Sequence, residues 1–325
     1  MTKDANASTG RPLYGCMGLG GTWGPEPYGA PEIATAEAAV TAALEIGITA
    51  FDHADIYRHG KSEAVFGELL ARDPGLRARI TLQTKCGIRL ADGAHPGMYD
   101  LRGKSVLRRV EESLVRLRTD VIDVLLLHRP DPLADPDDIA EALHSLHAQG
   151  LVRRFGVSNM GAAQIAALQS RLGLPLVANQ LEMSLHKRDW VEAGVLLNTP
   201  EGAANGFPHG TLEHCRDQGI QVQAWGALAQ GRFTGRPATA EDQAAAELLA
   251  ALAERKQVAP ETVLLWWLQR HPAGIAPVIG TSDPGRIRAC REAGGGGAAG
   301  GPDAWLRRWG GARGTARPVA GAPRS

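Results

Sequence analysis

Four side chains, Asp52, Tyr57, Lys85 and His128, are of the types needed to move a proton to a carbonyl oxygen. A free phenol titrates near pH 10 and is a poor acid–base at neutral pH. An adjacent ammonium stabilises the tyrosinate and brings the phenol towards working range. Lys85 can do this if the Asp52 carboxylate anchors it. The imidazole of His128 can donate a hydrogen bond to a carbonyl oxygen and aim it at the phenol. A carbonyl so polarised accepts a hydride at carbon and a proton at oxygen. Taken singly, the residues have plainer readings. Asp52 reads as a helix cap or loop acid, Tyr57 as a loop aromatic and His128 as a satisfied core histidine. Lys85 is harder to dismiss, because a charge at the end of an apolar run needs a partner. Asp55, His53 and His59 lie nearby and carry no assigned role.

The elements that would position these groups can be read from the pattern. Asp52, Lys85 and His128 each end an apolar, β-rich run, and Tyr57 follows Asp52 by five residues. Eight such runs are expected, at 15–19, 49–53, 80–85, 121–128, 153–158, 176–181, 220–225 and 276–280. Amphipathic helical stretches separate them. Asp135 and Pro136 open one helix as N-cap and first helical residue; Ile139, Leu143 and Leu146 form its buried stripe. Val106, Val110, Leu114 and Leu117 share a face of another, over 105–118. Further helices are expected over 34–46, stopped by Gly47, and from Pro260 to before Pro272. Alternation of this kind argues for a parallel sheet, and eight repeats for a single-domain α/β fold, a (β/α)8 TIM barrel. In that fold, polar groups at the carboxyl ends of strands share one rim. The expected organisation is a flexible start over 1–12, the barrel over 13–293, and a Gly/Ala-rich, disordered tail over 294–325.

Composition narrows the function. Acids and bases balance at 35 each, so a general nucleic-acid or membrane-surface binder is not expected. No apolar stretch is long enough to span a bilayer, and the first residues have no apolar signal core. The four cysteines are scattered and form no metal or redox motif, which suits a reducing cytoplasm. No metal is implied, and the oligomeric state is left open, a monomer being compatible with the sequence.

The segment Phe51-Asp52-His53-Ala54-Asp55-Ile56-Tyr57 resembles the Asp-Thr-Ala…Tyr motif of the aldo-keto reductase family, with His53 in place of Thr. Lys85 and His128 fall where that family's other two catalytic residues lie, and the resemblance covers about residues 13–292. It implies a barrel, a nicotinamide cofactor and a carbonyl substrate. Gly156-Val157-Ser158-Asn159 and Ala178-Asn179-Gln180 are similar to the segments whose Ser, Asn and Gln hold the nicotinamide carboxamide. Trp225 matches the aromatic under the nicotinamide ring. Gly226, Ala227, Leu228 and Gly231 resemble the loop over the pyrophosphate, with Ala227 where Ser is common. Gly280, Thr281, Ser282 and Arg286 look like the segment that holds the adenosine 2′-phosphate, which implies NADPH, since a guanidinium forks onto phosphate. Ala289 and Cys290 stand where the family often has Glu and Asn at the adenine.

These positions also read without the resemblance. Each lies at a strand's carboxyl end; amides and hydroxyls recognise amides, and a flat indole stacks on a flat ring. The plainer readings make Asn159 and Gln180 loop caps and Trp225 core. Gly18-Leu19-Gly20-Gly21-Thr22-Trp23 begins like a dinucleotide fingerprint but lacks the third glycine and the later acid, so an open nucleotide-binding sheet is not expected. Trp23, Met98 and Tyr99, with Trp190, are the apolar candidates for the substrate pocket. A hydrophobic aldehyde or ketone fits them better than a highly charged one. Two other functions compete with a reductase: a non-catalytic NADPH-binding regulatory subunit, and a lyase using Lys85 as a Schiff base.

Overall fold

The computed structural model describes residues 10–295. Of the flexible start expected over 1–12 and the tail expected over 294–325, residues 1–9 and 296–325 lie outside the described residues, while Arg291–Gly295 form a 3-10 helix.

Eight parallel strands close into a barrel in sequence order around the ring: β1 (Leu13–Gly15), β2 (Ala50–Asp52), β3 (Thr81–Cys86), β6 (Ile122–Leu127), β7 (Val152–Ser158), β8 (Leu176–Glu182), β9 (Gln221–Trp225) and β10 (Ala276–Ile279). Two further strands, β4 (Ile88–Arg89) and β5 (Met98–Tyr99), pair antiparallel as a small hairpin above the rim. The ring closes through Tyr14, which lies opposite both Phe51 on β2 and Ile279 on β10.

The helices lie outside the strands: α1 (Ala30–Glu45), α2 (Lys61–Arg72), α3 (Pro74–Arg79), α4 (Gly103–Leu117), α5 (Pro136–Ala148), α6 (Ala162–Leu172), α7 (Asp189–Val195), α8 (Pro200–Ala203), α9 (Thr211–Asp217), α10 (Ala240–Lys256), α11 (Pro260–Gln269) and α12 (Pro284–Arg288). Their ends follow local chemistry. The Asp135 carboxylate accepts from the Asp137 amide and Pro136 takes the first turn of α5. The expected stripes face the core: Val106, Val110 and Leu117 on α4 are buried and Leu114 is half-buried, and Ile139, Leu143 and Leu146 on α5 are buried. Helix α1 begins at Ala30, four residues before the expected start, because Pro31 sits in its first turn and Glu32 accepts from the Gly29 amide.

Most of the core lies between barrel and helices, around Tyr14, Phe51, Phe66, Phe155 and Leu265. Two small apolar clusters lie apart from it, one of Leu13, Ala276 and Val278, the other of Val124, Leu126 and Ala178. Packing here is tight: a Cβ at Gly156 would stand 2.6 Å from Leu126 and 2.7 Å from the Ala178 carbonyl.

The first strand departs from expectation. It ends at Gly15 rather than 19, because Cys16–Gly18 turns into a 3-10 helix, with the Leu19 amide donating to the Cys16 carbonyl. The other seven barrel strands match the expected spans to within two residues at either end.

Candidate active site

Asp52, Tyr57, Lys85 and His128 meet at the carboxyl-terminal rim. Lys85 is fully buried and Asp52 nearly so. The Lys85 ammonium donates to both Asp52 oxygens, at 2.8 Å and 2.7 Å, to the His53 carbonyl at 2.9 Å and to Tyr57 Oη at 3.1 Å. A buried ammonium is tolerated because its donors are taken by a carboxylate and two further oxygens. Burial pulls its pKa down, but Asp52 and Tyr57 outweigh that and leave it raised.

Tyr57 Oη accepts from the ammonium, so the phenolic proton points elsewhere. The Tyr57 and His128 rings meet edge to face, 6.0 Å between centroids. Burial raises the phenol's pKa and Lys85 only partly offsets it, so it remains above its ordinary value. This corrects the expectation that Lys85 brings the phenol down into neutral range. The buried phenol stays protonated. Burial, then Lys85 and Arg129, hold His128 well below its ordinary pKa, so its imidazole is neutral. Its Nδ1 has no hydrogen-bond partner among the described residues.

Behind this cluster is a second buried carboxylate. Asp55 faces Arg109 at 3.5 Å, and neither of its oxygens has a hydrogen bond among the described residues. Burial pushes its pKa up to about 7. His53 is also buried and packs on Phe66; burial, then Lys85, lower its pKa to about 3.

A second group of residues sits across the rim, on β7, β8 and β9. Ser158 Oγ donates to the Gln180 carbonyl at 2.9 Å. Asn159 adopts a left-handed backbone (φ 58°), which asparagine tolerates better than most residues. Its amide donates to Ser158 Oγ at 2.8 Å and to the His128 carbonyl at 3.2 Å, while its Oδ1 accepts from the Trp225 indole at 3.2 Å. Ser158, Asn159, Gln180 and Trp225 are thus one connected patch, tied by backbone to His128, with the indole half-buried.

Farther round, the turn after β9 places Gly226 outside, Ala227 and Gly231 inside, and Leu228 between. Gly231 has φ 84°, and a Cβ there would lie 3.1 Å from the Arg286 guanidinium. Arg286 on α12 donates to Thr234 at 3.3 Å and lies 4.0 Å from Glu261. Gly280, Thr281 and Ser282 connect β10 to α12, and the Thr281 carbonyl accepts from Tyr14 Oη. Cys290 is buried, and Ala289 is held by its carbonyl to Thr262.

The pocket candidates fare less evenly. Trp23 is 42% exposed, edge-on to His59 at 5.8 Å and under the Arg58 guanidinium at 5.2 Å. Met98 and Tyr99 are exposed on β5. Trp190 is core: it is buried against Trp267 at 5.3 Å and donates to the Lys187 carbonyl. Sequence reasoning missed Gln83 and Gln223. Gln83 Nε2 donates to Asp52 at 2.6 Å and also bonds Gln223. The available signal was spacing: Gln83 precedes Lys85, and Gln223 precedes Trp225, by two residues, which puts each pair on one face of its strand.

The model of the aldo/keto reductase family matches residues 13–294. The chain belongs to the aldo/keto reductase family. It is 39% identical over 254 residues to an uncharacterized oxidoreductase, YcsN, of Bacillus subtilis, covering 77% of this chain and 79% of that one. It is 38% identical to a 6-dehydroglucose reductase of Novosphingobium aromaticivorans over 260 residues, 78% of each. Among solved structures, an aldo/keto reductase of Klebsiella pneumoniae in complex with NADP and acetate superposes with a TM-score of 0.67 at 23% identity, covering 91% of this chain and 89% of that one, a likeness of fold. Among the described residues no helix is long and apolar enough to cross a membrane.

Proposed function

We propose that this reductase is NADPH-dependent and reduces an aldehyde or ketone to an alcohol, with Tyr57 as general acid. The observation that carries the reading is the Lys85 ammonium, locked between both Asp52 oxygens and 3.1 Å from Tyr57 Oη.

The residues fit such a cofactor. Ser158, Asn159 and Gln180 cluster beside a half-buried indole face, as an amide-bearing aromatic ring requires. The Gly226–Gly231 turn runs against Arg286, whose side chain is one-third exposed and, among the described residues, is held by a hydroxyl and a carboxylate 4.0 Å away. That is a place for the 2′-phosphate, and it favours NADPH over NADH. Gly226, Ala227, Leu228 and Gly231 would line the pyrophosphate, with Gly280, Thr281 and Ser282 on the other side. When bound, the cofactor supplies the hydride that the carbonyl carbon receives.

This chain's own residues supply the rest. Neutral His128 donates to the carbonyl oxygen and polarises it. Tyr57 gives that oxygen its proton, and Lys85, held by Asp52, stabilises the tyrosinate left behind. Asp52, Lys85 and Tyr57 are hydrogen-bonded to one another before any substrate arrives, and the His128 ring packs edge to face on Tyr57, which is electrostatic preorganisation.

The substrate is a small carbonyl compound. Trp23 under Arg58 offers a mixed wall, apolar on its face and cationic at its edge. With Trp190 in the core, less apolar wall remains than the sequence suggests. Hydroxylated aldehydes therefore belong in the substrate panel beside hydrophobic ones, as the 38% identical 6-dehydroglucose reductase also suggests. Following NADPH oxidation over that panel tests the reading. Turnover that survives Tyr57→Phe would sink the mechanism, and tight NADPH binding without turnover would favour a regulatory subunit instead. Borohydride trapping of a substrate on Lys85 would reveal a lyase.

A further inference from the structure

Barrel interiors are usually filled by branched apolar side chains. Here Gln83 on β3, Gln180 on β8 and Gln223 on β9 form a buried amide layer, each 2% exposed. Gln83 Nε2 donates to Asp52 Oδ1 at 2.6 Å and to Gln223 Oε1 at 2.8 Å. Gln223 Nε2 donates back to Gln83 Oε1 at 3.1 Å and to Gln221 Oε1 at 3.0 Å. Gln180 Nε2 donates to Gln223 Oε1 at 3.0 Å. The chain is unbroken from the carboxylate that anchors Lys85 to the amide beside Asn159 and Trp225.

A side-chain amide has one donating and one accepting end, so each link dictates the next. The Asp52 carboxylate only accepts, which obliges Gln83 to turn its NH2 towards it. The second N–H of that group then requires the carbonyl of Gln223, and the same carbonyl requires the NH2 of Gln180. What remains of Gln180 is its Oε1, to which nothing among the described residues donates. Reversing any one amide would oppose two oxygens or two NH2 groups in a dry interior, where an unmade hydrogen bond is costly. A layer serving packing alone would need volume and no polarity.

We propose that Gln223, backed by Gln83, is a positioning residue: it takes the Asp52 carboxylate as a polarity reference and holds Gln180 carbonyl-outward, so that the site reads the N–H of a nicotinamide carboxamide. This rests on the assignment of Ser158, Asn159, Gln180 and Trp225 to the nicotinamide end. It makes the proton-donating side and the cofactor side of the barrel one hydrogen-bonded unit.

The test is a fluorescence titration of the full chain with NADPH and with the reduced 3-acetylpyridine analogue, whose methyl ketone has no N–H to offer. Wild type should bind NADPH about tenfold more tightly than the analogue, the scale of one hydrogen bond to a buried group. Gln223→Leu should weaken NADPH several-fold and leave the analogue within twofold, so that the discrimination collapses towards one. In Gln180→Leu the discrimination should already be gone, and adding Gln223→Leu should weaken NADPH no further. Equal losses for both cofactors in Gln223→Leu, or additive losses in the double variant, would show a merely structural role and overturn the proposal. Gln223→Met, closer in length and volume, replaces Gln223→Leu if that variant does not fold. The wild-type comparison needs no variant: binding both cofactors equally well overturns the proposal while the cofactor assignment stands. Binding neither overturns the assignment itself.

Discussion

The two ends of the candidate site are built to different standards. At the end proposed to donate the proton, Asp52 and Lys85 are almost without solvent contact, bonded at 2.7–2.8 Å, and every ammonium donor is engaged. At the end proposed to hold the 2′-phosphate, Arg286 is one-third exposed, 3.3 Å from a hydroxyl and 4.0 Å from a carboxylate. The difference follows from what each must do. A proton must be delivered along a fixed line to one oxygen, so the donor is assembled in advance. A phosphate would have to be admitted and released, which suits a guanidinium kept near water and held by one hydroxyl and a distant carboxylate. Damage at the first end should therefore appear in kcat and in stability, and damage at the second in cofactor affinity.

The largest expected effect is on turnover. Tyr57→Phe removes the transferred proton and nothing else of size, so kcat should fall about 10²–10⁴-fold, the usual weight of general acid catalysis. NADPH affinity, read by indole fluorescence, should stay within twofold. A matching loss of affinity would erase the contrast between the two ends.

Lys85→Met breaks the same end by another route. It leaves the Asp52 carboxylate buried with Gln83 as its remaining partner, a loss expected to cost about 3–5 kcal/mol of stability. Thermal unfolding should show this beside the loss of turnover. The double variant Asp52→Asn/Lys85→Met should regain part of the stability but none of the activity. Failure to regain it would mean that the pair's charge is not what the barrel interior responds to.

Arg286→Ala should act at the other end alone. Losing a charged hydrogen-bonding partner is worth about 1.5–3 kcal/mol, or roughly 10–100-fold in NADPH affinity. NADH, without the 2′-phosphate, should bind as before, and kcat at saturating NADPH should be unchanged. Equal weakening of both cofactors would remove Arg286 from the phosphate site.

The proton-donating end was also the more legible in sequence, for a physical reason. Lys85 and His128 close long apolar runs, and a charge in that position needs a partner that topology can supply from a neighbouring strand. The barrel followed from the same alternation, and seven strands fell within two residues of expectation. What failed depended on distant contacts. Trp190 on α7 reads as a pocket wall but packs on Trp267 of α11, distant in sequence. Cys16 to Gly18 has strand-like apolarity yet turns, where pairing with β10 has ended at Tyr14 and pairing with β2 at Gly15. Lys85 lowers the Tyr57 pKa, as the sequence suggests, but burial opposes and exceeds it, and burial depends on the folded neighbours. Gln83 and Gln223 went unread because a polar residue in the middle of a strand has no meaning until its cross-barrel partner is known.

The contrast can be sharpened within three residues. Asp52 and Asp55 are both buried carboxylates, but Asp52 is saturated with donors while Asp55 has only Arg109 at 3.5 Å. Burial raises the Asp55 pKa from 3.8 to about 7. The folded state therefore binds this proton more tightly than the unfolded chain does. Its stabilising contribution is complete below about pH 4 and is lost as pH rises through about 7. Three units set a ceiling of about 4 kcal/mol. Asp55→Asn also strands Arg109, so a gain of about 1 kcal/mol is expected at pH 8, or about 2 °C in Tm. At pH 5 the native carboxyl is already protonated, so the gain should vanish or reverse. Lys85 and Tyr57 keep their partners in this variant, and kcat should not move. A Tm difference that is the same at pH 5 and pH 8 would mean that Asp55 stays ionised in the fold, with Arg109 holding it more firmly than 3.5 Å suggests.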